Sequence, residues 1–299
     1  MSSFKIGASI SSDSVHMKED ELENKEIERS KVMRAIVEIQ DPSAKDVDNS
    51  MICRFLRARD LDTDKASAMF LKYLYWRKEF VPNGFISLSE IQNDIAQNKL
   101  FMQGRDKTGS PILIALSGRH KPTSVEEFKR FVTYSLDKIC ARMPSGHEKF
   151  TAIADLQGWG YSNSDIRGYL AALSILQDFY PERLGKLFVI HVPYIFMTAW
   201  KAFCPFIDKN TKKKIIFVEN KQVQLTLLQH IHESQLPERY GGQTTISSHS
   251  RMLICSFIVS LCRRCYSSIH QFSNFKLFLK ILYDIVSIGL CLITFSDDL

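Results

Sequence analysis

Nowhere in the 299 residues is there a glycine-rich loop of the kind that cradles phosphates ahead of a helix, nor a His-Glu-x-x-His helix that could hold zinc. Nucleotide-dependent transfer and zinc proteolysis lose their usual signatures with them. The first twenty residues carry no apolar core of signal-peptide type, so the chain is expected to start in the cytosol. The seven cysteines form no even framework: Cys53, Cys140 and Cys204 stand isolated, and the other four lie from Cys255 onward. That usage suits a reducing compartment rather than a disulfide scaffold. Strong charge is missing too. A net charge of +6 is mild for this length and not concentrated as in a nucleic-acid binder, although it permits attraction to an anionic membrane surface.

What is present is ordinary globular material, with 45% apolar and 24% charged residues, enough for one large or two smaller cores. Residues 1–25 are polar, rich in Ser and Glu, and read as disordered. Apolar residues at Ile27, Val32, Ile36 and Ile39 then predict a helix that Asp41-Pro42 closes. Further helices are expected over 47–59, over 63–79 with Thr63 or Asp64 as cap, and around 87–98. Residues 26–98 thus form a helical module.

From residue 99 the pattern changes. Two short apolar runs flank the Gly104–Gly109 turn and predict a β-hairpin. Ser124 with Glu127 makes a capping box before a helix that continues toward Met143. Strands at 150–156, 187–192 and 215–218 alternate with helices over 166–180, 194–207 and 225–232. The fold class is α/β: a helical N-terminal module, then a mostly parallel sheet with flanking helices.

Within this alternation, Tyr180-Pro181-Glu182-Arg183 ends a helix and opens a strand, because the residue before a proline is driven out of the α region. Glu182 is placed at a strand mouth, where α/β proteins tend to bind ligands. Lys214 opens the next apolar run. Opposite charges at two neighbouring strand entrances, amid apolar sequence, suggest a polar lid over an apolar pocket that holds lipid. A buried structural ion pair would require the same two residues.

These motifs resemble the CRAL-TRIO lipid-binding domain. The resemblance rests on Asp155-Leu156-Gln157-Gly158, Tyr180-Pro181-Glu182-Arg183-Leu184-Gly185-Lys186, Pro205-Phe206-Ile207-Asp208 and Leu236-Pro237-Glu238-Arg239-Tyr240-Gly241-Gly242. Arg54-Phe55-Leu56-Arg57-Ala58-Arg59 and Tyr75-Trp76-Arg77 look like its helical N-terminal module. The pattern is similar to yeast-type phosphatidylinositol/phosphatidylcholine transfer proteins and their plant counterparts, over roughly residues 30–243. It implies non-enzymatic binding and transfer or presentation of phosphatidylinositol between cytosolic membrane faces, by a peripheral, monomeric protein with bound phospholipid and no other cofactor or metal. A regulatory adaptor holding another hydrophobic ligand is the alternative. The resemblance carries phosphatidylinositol contacts onto Glu182, Lys214 and Thr211, with Asn210 where some relatives have an acid, and a phosphate contact onto Arg57. It makes the 194–207 helix, with Phe196, Trp200 and Phe203, a movable gate. Where relatives contact phosphatidylcholine through a serine and a threonine, this chain has Phe150 and Ala152, which implies weak phosphatidylcholine binding.

Three features fall outside that reading. Cys53 and Arg59 have phosphatase-loop spacing, but the residues between them contain no glycine and read as helix interior, without loop amides to lower the thiol pKa. His230 and His232, two apart, face different sides of a helix. The tail, 244–299, contains a lone Cys262–Cys265 spacing and an apolar run over 277–295, just under the about 20 residues of a membrane span. Lys280 and Asp284 interrupt that run, so a tail that docks on the domain or folds poorly is preferred to an anchor.

Overall fold

The computed structural model describes residues 12–246, and the N-terminal module is helical from Ser12 onward. Helix α1 (Ser12–Gln40) therefore includes residues 12–25, where composition predicts disorder. Straight-chain Glu and Lys are good helix formers, and once the distal half is docked, extending a helix costs little compared with nucleating it. The buried stripe of α1 is also not the isoleucine stripe. Ser30, Met33 and Val37 are buried, while Ile27, Val32 and Ile39 face outward.

Met33 and Val37 pack with Ile52, Phe55 and Leu56 of α2 (Asn49–Arg57) and Phe70 of α3 (Thr63–Phe80) in a small core. The Phe55 and Phe70 rings meet edge to face, 5.0 Å apart, and burying each contributes about 1.5–3 kcal/mol. The cap of α3 is Asp62, not Thr63 or Asp64: its carboxylate accepts from the Lys65 amide at 3.0 Å. Trp76 of α3 stacks on Phe179 at 4.0 Å, and Arg77 pairs with Asp137 at 2.8 Å, so the module is joined to the sheet's covering helices. The fourth predicted helix is shorter, α4 (Gln92–Ala96), preceded by a 3-10 turn.

Five strands lie side by side in chain order: β1 (Leu100–Arg105), β2 (Pro111–Leu116), β3 (Phe150–Asp155), β4 (Leu184–Ile190) and β5 (Ile215–Phe217). The first pair is the predicted antiparallel hairpin, and each later strand runs parallel to the one before. Helices α5 (Val125–Ala141) and α6 (Ile166–Phe179) make the first two crossovers. Helices α7 (Phe196–Phe203) and α8 (Lys209–Lys212) occupy the third, and α9 (Val223–His230) follows β5.

The sheet face beneath α9 is tightly closed by Ile112, Ile114, Ile153, Phe188 and Ile190 against Val223 and Leu227. At the carboxyl ends of β3 and β4 lies Asp155, 1% exposed, which bonds His191 at 2.8 Å and both Arg239 and Tyr240 at 2.9 Å. Two of the sequence motifs thereby meet through one carboxylate. Thr244 bonds Leu236 and Glu238, and Gln103 reaches the Thr245 carbonyl, so the fold extends past the boundary predicted at 243. No helix among the described residues is long and apolar enough to cross a membrane. Cys262, Cys265 and the 277–295 run lie outside the described residues.

Candidate functional site

The other sheet face is apolar but incompletely closed. Strand register aligns Leu113, Ala152, Leu187 and Ile215 in one rung, and Ala115, Ala154, Val189 and Phe217 in the next. Along β2 and β3, burial alternates: neighbours on the α9 side such as Ile114 and Ile153 are fully buried, while Leu113, Ala115, Ala152 and Ala154 stay partly exposed. Alternation of side chains across a strand explains the division. The alanines in the central strands leave room above the sheet, and Ala172 and Leu176 of α6 look onto it half-buried. A helix-covered surface that is apolar yet open to water-sized access suits an apolar guest.

At one end of this floor lies a cavity of about 170 Å3, lined by Glu182, Lys214, Thr211, Asn210, Arg59 and Leu176 among others. Three of the four headgroup residues expected from the sequence therefore converge. Their position differs from the expected one. Glu182 and Lys214 precede β4 and β5, so the cavity is at the amino ends of the parallel strands and not at the carboxyl ends, where open α/β sheets usually bind ligands. The proline turn directs Glu182 there with φ of 56°, a left-handed conformation that costs a non-glycine residue about 1–3 kcal/mol.

Lys214 Nζ lies 3.4 and 3.3 Å from the two Glu182 carboxylate oxygens, and Lys149 Nζ is 3.6 Å from one of them. Charge-assisted bonds are usually about 2.7–2.9 Å. The pair is loose, and with both side chains 19% exposed it retains capacity for a third group. Thr211 lies on α8, whose cap Asp208 accepts from the Thr211 amide at 2.8 Å. Burial opposes the Asp208 carboxylate, but bonds from Thr211 and the nearby Lys214 charge hold its carboxyl below the ordinary range.

Arg57 is not part of the cavity. Its guanidinium pairs with Glu148 and, at 3.4 Å, with Glu26. Arg59 lines the cavity instead and bonds only the Ala58 carbonyl among the described residues. Arg59 follows the end of α2, where positive φ at Asp60 and Leu61 turns the chain, so its direction could not be read from helical spacing. Lys149 was also missed, being an exposed lysine in a loop with no motif around it.

The expected gate residues divide. Phe196 is 7% exposed and meets Trp159 edge to face at 5.2 Å, while Trp200 meets Phe217 at 4.9 Å. The Phe203 side chain lies outside the described residues. The outward apolar groups near α7 are Tyr194, Met197 and Phe206. Elsewhere, burial and then a bond to Glu26 push the Cys53 thiol up to about 11, opposite to what a nucleophilic cysteine needs. His230 ends α9 against Lys186, whereas His232 caps the next turn, so the two do not converge.

Comparison with known proteins agrees with this architecture. The CRAL/TRIO domain matches residues 96–242. The SEC14 cytosolic factor of Kluyveromyces lactis is 32% identical over 220 residues, covering 67% of this chain and 73% of that protein. The phosphatidylinositol/phosphatidylcholine transfer protein SFH12 of Arabidopsis thaliana is 31% identical over 222 residues, covering 68% and 41%. The crystal structure of Sfh5 superposes with a TM-score of 0.60 at 17% identity, over 82% of this chain and 98% of that one, a likeness of fold. With a helical module leading into a five-stranded, mostly parallel sheet and relatives at this level of identity, the chain belongs to the CRAL/TRIO domain family.

Proposed function

We propose that this protein binds phosphatidylinositol without covalent chemistry and transfers or presents it between cytosolic membrane faces. The observation that carries the proposal is the adjoining of two unlike surfaces: the half-open apolar rungs and the polar cavity at their end. Acyl chains suit the first. In the second, Lys214 and Arg59 supply cations to a phosphate, Glu182 accepts from inositol hydroxyls and Thr211 donates its hydroxyl. The name of the Arabidopsis relative points to the same lipid class. The lipid-binding part begins at residue 99, after the helical module, and includes Thr244 and Thr245, which bond into it. Mass spectrometry of lipid extracted from the purified protein tests the reading. Recovery of phosphatidylinositol is expected; recovery of a different hydrophobic molecule alone replaces the carrier with an adaptor.

Phosphatidylcholine is expected to load poorly. Ala152 lies on the floor without a hydroxyl, and Phe150, 2% exposed, fills its position with a ring. Loading from vesicles that contain both lipids decides this. Equal recovery of the two would show that these positions do not discriminate.

Membrane engagement is assigned to the outward residues beside α7. Replacing Tyr194 and Phe206 with Ser is expected to slow vesicle binding and exchange severalfold with little change in melting temperature, since both rings are exposed. Phe196→Ala should instead lower stability, by about 3–5 kcal/mol for a fully buried ring. Undiminished exchange in the Tyr194/Phe206 variant counts against this face as the membrane contact.

A further inference from the structure

A second cavity, of about 590 Å3, opens on the far side of the hairpin, lined by Met102, Arg105, Ile112, Ile139, Ala141 and Arg142 together with Gly104, Pro111 and Gln235. It shares no residue with the cavity around Glu182 and Lys214. Its shape derives from an irregularity in the edge strand: pairing of β1 with β2 shifts register between Met102 and Arg105. Gly104 occupies the shift with φ of 76°, and a Cβ there would lie 2.6 Å from the Gln235 carbonyl oxygen, so only glycine fits. Just past the shift, Arg105 reaches the carbonyl of Arg142, the residue that caps the end of α5.

Two guanidinium groups border this space, and among the described residues neither meets a carboxylate within ion-pair distance. Arg105 donates to the carbonyls of Gly109 at 3.0 Å and Arg142 at 3.2 Å, and Arg142 donates to the carbonyl of Met102. Each guanidinium has five donors, so most remain for another acceptor. The nearby carboxylate, Asp106, is already bound by Thr108, Ser110 and Thr151. Both charges line one cavity, and the Arg105 guanidinium reaches the backbone of Arg142, so a single dianion in the cavity would offset both. Behind them Met102, Ile112 and Ile139 are closed core, at 3%, 1% and 0% exposure, so the accessible wall is the one the arginines supply.

We infer that this cavity binds a phosphate monoester with an organic body. A monoester carries about −1.5 to −2 charges at neutral pH, matching two arginines better than a single carboxylate does. Its oxygens suit bidentate guanidinium forks. The volume is that of a small-ligand site and leaves room beside the phosphate for a carbon portion. Such a group comes either from a soluble ester or from a lipid headgroup with a terminal phosphate.

The test uses the full-length protein in chloride buffer with two probes. Glycerol 3-phosphate is titrated by calorimetry. Phosphatidylcholine vesicles containing phosphatidic acid are compared in sedimentation with vesicles of equal charge containing phosphatidylserine. At least one phosphate probe is expected to bind the wild type, and the one that binds identifies the source. Arg105→Gln is expected to weaken binding about tenfold or more, as loss of a charged hydrogen-bond donor does. Ala141→Glu, on an exposed position, removes no existing bond and sets a carboxylate in the cavity. It should abolish binding at an unchanged melting temperature. The inference is overturned if neither probe binds, if phosphatidylserine vesicles bind equally well, or if a folded Ala141→Glu variant binds like the wild type. Equal loss in Lys214→Ala would assign the phosphate to the other cavity and overturn it as well.

Discussion

Lys214→Ala is expected to lose phosphatidylinositol transfer while the protein stays folded. Lys214 is one of two cations at the polar cavity that the structure places on its lining, and its contact with Glu182 is long on both oxygens. A charge-assisted contact to a headgroup phosphate contributes about 1.5–3 kcal/mol, or roughly a ten- to hundredfold loss of affinity. Stability should change little, because Glu182 keeps Lys149 at 3.6 Å and partial access to water. Transfer between vesicles and thermal melting are measured together. Full transfer in a folded variant removes Lys214 from the headgroup site. A collapsed melting temperature shows that the pair serves the fold.

A larger effect is expected from filling the floor. Ala154→Trp places an indole on the rung between Ala115 and Val189, within the space above the sheet. No lipid of any class should then be recovered from the protein. The melting temperature should hold or rise, since tryptophan suits a strand and fills open volume. Ile153→Trp is the contrast. Its neighbouring side chain points to the opposite face and is 0% exposed, so the same ring is overpacked there, at about 1–3 kcal/mol or more. If Ala154→Trp destabilises as Ile153→Trp does, the rung is closed core and no pocket lies above it. If Ala154→Trp is stable and still carries lipid, the guest is elsewhere.

Much of the fold was legible because its signals are local. The hairpin follows from two apolar runs around glycines, and β3 and β5 from apolar runs that end in Asp155 and after Val218. The features that were not legible are set by tertiary partners. The stripe of α1 is chosen by what α2 and α3 present to it, so Met33 and Val37 enter the core and the isoleucines do not. Among Asp62, Thr63 and Asp64, any could cap a helix, and the left-handed turn before them decides for Asp62. At the site, Glu182 and Lys214, at two strand entrances, and Thr211, named by the family resemblance, line one cavity. Arg57 failed because Glu148, ninety-one residues away in the chain, holds it; no local pattern reveals such a partner. The polarity of the strand ends was missed for a related reason: a residue's place at a strand mouth does not say which mouth carries the ligand.

The succession of strands in chain order has a consequence for how the molecule comes into being. Each strand adds beside the one made just before it, so the sheet can grow as the chain emerges, without waiting for distant partners. Asp155 is the exception. Its carboxylate stands at the ends of β3 and β4 but finds Arg239 and Tyr240 only when the last turn arrives, 84 and 85 residues later. Until then the carboxylate keeps its water, because the 1% exposure of the finished domain is reached with those two side chains in place. Completion of the carboxyl end of the sheet therefore waits for residues 239 and 240.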